Sequence, residues 1–155
     1  MFRTISLITI LITTSFFKTT TSEEKPFCEG VKYFIKTMST NSTISKLKGD
    51  LINEDVYFSK IIFKGWENET IVDNASEFSF STFTKPATDK ITNEKYTEVR
   101  NQLIKCAGLK PEEAIADTAD YFSCNAGPLN LQLLVFPRTE ESQSYIGLTI
   151  RKPKD

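Results

Sequence analysis

The composition of this 155-residue chain is sufficient for a packed interior, because 39% of its residues are hydrophobic and 12% are aromatic. Its 19 basic and 20 acidic residues leave a net charge of −1 and are mixed along the chain, which argues against nucleic acid as a partner. Histidine is absent, and this excludes Ser-His-Asp and Cys-His catalysis as well as histidine-containing zinc sites. The six glycines are spread singly, so no nucleotide-binding loop is predicted and we expect neither a cofactor nor a metal.

The first 22 residues have the pattern of a secretory signal peptide. Arg3 gives a positive start and the apolar run 5–17 follows. Thr20 and Ser22 are small residues at suitable cleavage positions. The apolar run is shorter than the ~20 residues that span a bilayer, although an uncleaved anchor or a buried helix would also account for it. We therefore expect a secreted or periplasmic protein without a transmembrane span after cleavage, in which residues 23–155 form a single domain.

The first predicted element after the signal is a helix over Lys25 to about Met38, where apolar residues recur at helical spacing. Gly30 is unfavourable there, because a glycine inside a helix costs about 1 kcal/mol relative to alanine. Cys28 borders the apolar stripe of this helix. The polar segment 39–50 that follows predicts a loop.

The stretch 57–85 predicts a β-hairpin whose first arm is bent at Gly65, since polar and apolar residues alternate on both sides of a turn. Exposed aromatic residues flanked by lysines are suitable for binding a partner. A bulge at Gly65 would instead reverse the alternation and turn Trp66 inward beside Phe63, so packing is the alternative for this tryptophan. The candidate interaction surface on the first arm consists of Phe58, Lys60, Ile62, Lys64 and Trp66.

The segment 85–108 predicts the second helix, with Thr92 as a possible N-cap and Gly108 as the C-cap. Its apolar stripe includes Cys106. If both helices lie on one face of one sheet, the thiols of Cys28 and Cys106 can meet, and we favour this disulfide in an exported protein. Pairing of Cys106 with Cys124 and the absence of any bridge stay open, since three cysteines leave at least one thiol unpaired.

The last third of the chain predicts three strands, over 121–125, 129–136 and 144–152, because leucine and isoleucine alternate there with polar residues. Turn residues separate the strands. We therefore predict an α+β fold of order αββαβββ. It is a two-layer domain in which an antiparallel sheet of about five strands has two helices packed on one face.

Short motifs follow one another along the chain in a definite order. A Cys-bearing helix leads to "KLKGD", then to a hairpin with "KG" in its first arm, then to a Tyr-containing helix that ends near a Cys, and finally to strands that close in "LTIRK". This order resembles that of the small exported α+β proteins of unknown function that are common in Bacteroidetes. The resemblance spans nearly the whole chain after the signal and implies an envelope or secreted location, but no catalytic residue and no ligand.

Neighbouring carboxylates are the remaining candidates for chemistry. Acid–base catalysis needs converging carboxylates, one with a raised pKa, and calcium binding needs a ligand loop that the sequence lacks. Solvent-exposed loops are the simpler interpretation, so we predict a non-catalytic binding or interaction protein, whose partner is another protein or an envelope component. An immunity- or inhibitor-type protein is the alternative, followed by an enzyme that uses carboxylates or a thiol. The carboxylates in question are Glu112–Glu113, Asp117 with Asp120, and Glu140–Glu141.

Overall fold

The computed structural model describes residues 22–138 and 143–154. The predicted signal peptide, apart from Ser22, and the pair Glu140–Glu141 lie outside the described residues. The helices are α1 (Phe27–Ser39) and α2 (Asp89–Ala107), with short 3-10 segments at Asn41–Lys46 and Pro111–Glu113. The strands are β1 (Glu23–Lys25), β2 (Lys48–Asn53), β3 (Val56–Ser59), β4 (Ile61–Phe63), β5 (Trp66–Asp73), β6 (Glu77–Thr84), β7 (Ala87–Thr88), β8 (Ala116–Asp117), β9 (Tyr121–Ala126), β10 (Leu129–Arg138) and β11 (Gln143–Pro153).

The α+β class and the mainly antiparallel sheet are confirmed, but the predicted count of about five strands is wrong. The main sheet has nine strands in the order β2-β3-β5-β6-β11-β10-β9-β8, with β7 paired to β11. A separate two-stranded sheet joins β1 to β4 in parallel. The predicted order αββαβββ is also wrong, because β1 precedes α1 and β2 to β7 all lie between the helices. Strands of two or three residues are too short to produce a recognisable alternation.

Gly65 reverses the chain instead of bending a single arm. Its φ of 80° lies in the region that favours glycine, and with Lys64 it forms the turn between β4 and β5. The chain then returns as β5, which pairs antiparallel with β3 so that Ile71 lies opposite Tyr57. On its other side β5 pairs with β6, with Ile71 opposite Phe80. The predicted first arm is therefore three strands.

The last three strands form the antiparallel arrangement that their alternation predicted. Leu131 of β10 lies opposite Cys124 of β9 and Ile150 of β11, and all three side chains are buried. Alternate residues of a strand point to one face, so this row belongs to a continuous apolar layer. The alternation of Leu131 and Leu133 with polar neighbours therefore predicted the buried face correctly.

Helix α1 lies close to β4 and β6. Phe34 stacks on Phe80 with ring centroids 3.9 Å apart, and a Cβ on Gly30 would overlap the ring of Phe63. Gly30 is thus present because the helix approaches this ring closely, which offsets its poor helix propensity. At the start of the helix, Cys28 forms a disulfide with Cys106 of α2, with the Cα atoms 5.2 Å apart. The predicted pairing is the one that the structure contains.

Helix α2 begins within the predicted segment but one turn before the predicted N-cap. Its N-cap is Thr88, not Thr92, whereas Gly108 is the predicted C-cap and has a φ of 63°. Thr92 lies inside the helix and is buried, and its hydroxyl donates a hydrogen bond to the carbonyl oxygen of Ser144 at 3.0 Å. This tertiary contact gives Thr92 a role that its position in the sequence does not reveal.

Candidate functional site

The edge hairpin, defined as β2 and β3 with the turn between them (residues 48–59), lies at one end of the nine-stranded sheet. β2 pairs with β3, and the register of this pairing shifts twice between Lys48 and Asn53. Such irregularities are common in edge strands, where they restrain uncontrolled pairing between sheets. Within the described part of the chain, no strand pairs with the outer side of β2.

Three large apolar side chains of the edge hairpin are exposed: Leu51 by 57%, Ile52 by 42% and Phe58 by 56%. Leu51 and Ile52 are consecutive, and all residues in the second part of β2 (50–53) are exposed. A strand that covers a core hides every second residue, so this part of β2 does not contribute to the interior. Elsewhere in the described residues, only Ile91 and Ile115 are large apolar residues with comparable exposure.

Two residues of the predicted interaction surface, Phe58 and Ile62, line one cleft of about 380 Å³. Gly49 lines it too, and a Cβ at this position would be 3.0 Å from the carbonyl oxygen of Phe58. The opposite side of the cleft includes Glu69, whose carboxylate accepts a hydrogen bond from the backbone N–H of Phe63 at 3.3 Å. The cleft therefore joins an exposed aromatic ring, a half-buried aliphatic chain and a carboxylate.

Trp66 lies outside this cleft and packs against the helix side of β4. Its ring stacks on Phe27 with centroids 5.3 Å apart and an interplanar angle of 15°. It also meets the edge of Phe63 at 6.4 Å. The side chain is half-buried and contacts the core cluster, so the packing alternative describes the position of Trp66. The physical reason is the reversal of the chain at Gly65. Phe58 and Trp66 belong to different strands, so the alternation between the two faces does not continue from one to the other.

Both lysines of the predicted surface flank β4. The backbone N–H of Lys60 donates a hydrogen bond to the carbonyl oxygen of Leu47 at 2.8 Å. The carbonyl oxygen of Lys60 accepts one from the backbone N–H of Glu23 at 2.7 Å. The backbone N–H of Lys64 donates to Lys25 at 2.9 Å. The Lys64 residue is exposed and Lys60 is half-buried. The main chain of these residues thus holds β1 in place, and the five predicted residues do not form one patch.

Asp117 and Asp120, which are candidates from the sequence, have local structural partners. Arg100 donates from Nε to Oδ1 of Asp117 at 2.7 Å and makes a second contact to Oδ2. These hydrogen bonds hold the pKa of Asp117 below its ordinary value, which is opposite to what a general acid needs. Asp120 accepts a hydrogen bond from the Thr118 hydroxyl at 2.8 Å.

The unpaired cysteine, Cys124, is buried in β9. Burial raises the pKa of its thiol, although a hydrogen bond with the backbone of Asn125 acts in the opposite direction. The thiol form is the weaker nucleophile, so the environment of Cys124 suits packing better than covalent catalysis.

Leu51 and Ile52 are the residues of the edge hairpin that the sequence did not single out. They lie in the polar segment "KGDLINED", where two apolar residues are too few to show a period. The neighbouring residues are what indicates an edge hairpin here. Gly49 permits the close approach of β2 to β3, and the turn at 54–55 comes directly after β2.

Comparisons of the chain with protein-family models, with curated proteins and with solved structures returned no match. Among the residues that the structure describes, no helix is long and apolar enough to cross a membrane. Those same residues contain no cluster of cysteine and carboxylate side chains that is arranged to hold a metal ion.

Proposed function

We propose that this protein is a non-catalytic binding protein, secreted or periplasmic, that engages another protein through the edge hairpin. The exposure of Leu51, Ile52 and Phe58 beside the outer side of β2 carries this proposal. Large apolar side chains that are exposed close together on an edge hairpin commonly lie where a partner binds. The occupant that we propose is an extended segment of the partner, which adds a strand to β2.

Strand addition suits both features of the edge hairpin. Main-chain hydrogen bonds to an edge strand supply affinity, and side-chain pockets supply specificity. The cleft that Phe58 and Ile62 line is the proposed pocket. Complete burial of a Leu, Ile or Phe side chain contributes roughly 1.5–3 kcal/mol, so covering these half-exposed residues contributes a part of that amount for each.

The disulfide supports the location that we propose. Disulfides form and persist in oxidising compartments such as the periplasm and the extracellular space, and are rare in the cytosol. Cys28 and Cys106 are far apart in the chain, so their bridge is a tertiary cross-link between the two helices. This is the use of a disulfide that is typical of exported domains.

We also propose that α1 and α2 cover the same face of the sheet, as a second layer. The stacking of Phe34 on Phe80 supports this arrangement for α1. Phe80 lies opposite Ile150, which in turn lies opposite Leu131. These residues share one buried face, and the disulfide fixes α2 beside α1. Such an arrangement leaves the edge hairpin uncovered by either helix.

Photocrosslinking in the native host tests the proposed function. A photoreactive phenylalanine derivative replaces Phe58, and the matched control carries it at Ile91, which is 54% exposed on α2. We expect a discrete crosslinked partner at position 58 and none at position 91. With that partner purified, Leu51→Ser and Phe58→Ser should each weaken binding at least about tenfold, which corresponds to ~1.4 kcal/mol. Ile91→Ser should leave the affinity unchanged.

Two results would contradict the proposal. The first is crosslinking that is equal at positions 58 and 91, which would indicate contacts without specificity. The second is a purified partner whose affinity is the same for the wild type, Leu51→Ser and Phe58→Ser, with all three proteins folded. Circular dichroism and melting temperatures of the variants provide the control for folding.

A further inference from the structure

A cavity of about 500 Å³ lies at the opposite end of β2 from its exposed residues, where the ends of several strands converge. Lys48 begins β2, Asp73 ends β5, and Lys152 and Lys154 lie in and just beyond the last part of β11. Lys48 is about a hundred positions from Lys152 and Lys154 in the chain, so only the fold brings it to them. The cavity also has an apolar lining, to which Ile44 and Pro153 contribute.

The ammonium groups of Lys48 and Lys154 share a single carboxylate. Lys48 Nζ is 2.7 Å from Oδ2 of Asp73, and Lys154 Nζ is 2.5 Å from Oδ1. Lys154 also donates to the carbonyl oxygen of Asn74. Two positive charges on one negative charge leave this group with a net charge of +1. Placing two like charges together is unfavourable, so the arrangement favours a further negative charge nearby.

The remaining contacts hold the lysines in position. Lys152 Nζ donates to the carbonyl oxygen of Met38, in the last turn of α1, at 2.8 Å. Lys48 Nζ lies 4.3 Å from the centroid of the Tyr57 ring, a cation–π distance. Ammonium groups that are fixed before a ligand arrives lose less conformational entropy when it binds. An ammonium group has three N–H donors, so Lys48, which donates to Asp73, retains donors for another oxygen.

The titration behaviour of the group agrees with this geometry. Burial raises the pKa of Asp73, but the hydrogen bonds from Lys154 and Lys48 outweigh it and the net pKa lies below the ordinary value. The hydrogen bond to Asp73 raises the pKa of Lys48. The Lys48 ammonium and the Asp73 carboxylate therefore both keep their charge near neutral pH.

We propose that this cavity binds a small organic molecule that carries a phosphate or sulfate group. The oxyanion lies among the ammonium groups of Lys48, Lys152 and Lys154, and the organic part contacts the apolar lining at Ile44 and Pro153. Lysines act as compact point charges with rotatable donors, which suits a tetrahedral oxyanion, whereas planar bidentate recognition is the speciality of arginine. This site is separate from the exposed residues of the edge hairpin, so either proposal can fail without the other.

Isothermal titration calorimetry of the full-length protein at low ionic strength tests the site. The probes are phenyl phosphate, inorganic phosphate, inorganic sulfate and benzyl alcohol, which is neutral. We expect phenyl phosphate to bind most tightly, the inorganic anions at least about tenfold more weakly, and benzyl alcohol not at all. Binding should weaken as salt is added, because the interaction is between charges.

Variants locate the site and separate it from general surface charge. Lys152→Gln and Lys154→Gln should each weaken phenyl phosphate binding at least about tenfold. The matched control is Lys85→Gln, which removes an exposed lysine that pairs with Glu67 elsewhere and should change nothing. Equal affinity for inorganic phosphate and phenyl phosphate would overturn the organic part of the proposal. Absence of binding, or binding that Lys152→Gln and Lys154→Gln leave unchanged while folded, would overturn the site itself.

Discussion

Removal of the Cys28–Cys106 disulfide is expected to lower the free energy of unfolding by about 4.5 kcal/mol. The bridge joins positions separated by 78 residues. Closing a loop of this length removes conformational entropy from the unfolded chain, worth roughly 4.5 kcal/mol at 25 °C. A domain of this size has on the order of 5–15 kcal/mol of stability in total. The cross-link between α1 and α2 thus accounts for a large part of what keeps the protein folded.

Urea unfolding of the Cys28→Ala/Cys106→Ala double variant, followed by circular dichroism, measures this loss. The control is Cys124→Ala, which removes a buried sulfur without breaking a bridge and so gives the cost of lost packing. The slope of the free energy against urea should also rise in the double variant, because its unfolded chain is more expanded. A loss below about 1 kcal/mol after this correction would refute the loop-entropy reasoning and indicate a compact unfolded state.

Three further predictions follow from single contacts. Gly30→Ala should lower the free energy of unfolding in urea by about 1–3 kcal/mol, because the new Cβ overlaps the Phe63 ring. The control Lys32→Ala changes an exposed residue of the same helix and should leave the free energy of unfolding nearly unchanged. Equal effects of the two substitutions would contradict the close packing of Gly30. Trp66, the single tryptophan, should emit at a blue-shifted wavelength that Phe27→Ala moves to the red, and an unchanged spectrum would contradict the stacking. The folded-state pKa of Asp73 is lowered, so its contribution to stability is present above a pH of about 4 and is lost as the pH falls through the folded pKa. Asp73→Asn should therefore flatten the acid side of a plot of melting temperature against pH, and a slope equal to that of the wild type would exclude this role.

The parts of the fold that the sequence predicted are those with a long, regular pattern. Leu129, Leu131 and Leu133 alternate with polar residues, and the strand β10 has this alternation in the structure. The stripe of α1 placed Cys28 beside the core, and that of α2 placed Cys106 there, which is why the disulfide was predictable. In each case many residues contribute to the same local signal.

The parts that were missed depend on one residue or on a distant contact. Gly65 has the same local sequence whether it bends a strand or reverses the chain, and only the pairing of β3 with β5 distinguishes the two. Thr92 resembles a helix cap, but its hydroxyl donates a hydrogen bond to the carbonyl oxygen of Ser144, 52 positions away. The position of Trp66 was missed for the same reason, because the reversal separates Trp66 from Phe58. The cavity that Lys48, Lys152 and Lys154 line is formed by residues that are far apart in the chain, so no local sequence pattern predicts it.

The buried thiol of Cys124 makes the folding of this protein sensitive to the moment at which it is oxidised. In the folded state its raised pKa and its burial in β9 keep the thiolate scarce, which slows exchange with the Cys28–Cys106 bridge. The unfolded chain has no such protection, and Cys124 is then closer along the chain to Cys106 than Cys28 is. The shorter loop closes at a lower entropic cost, so oxidation before β9 joins the sheet favours the wrong partner. A Cys106–Cys124 bridge formed at that stage has to be exchanged before Cys28 can pair with Cys106.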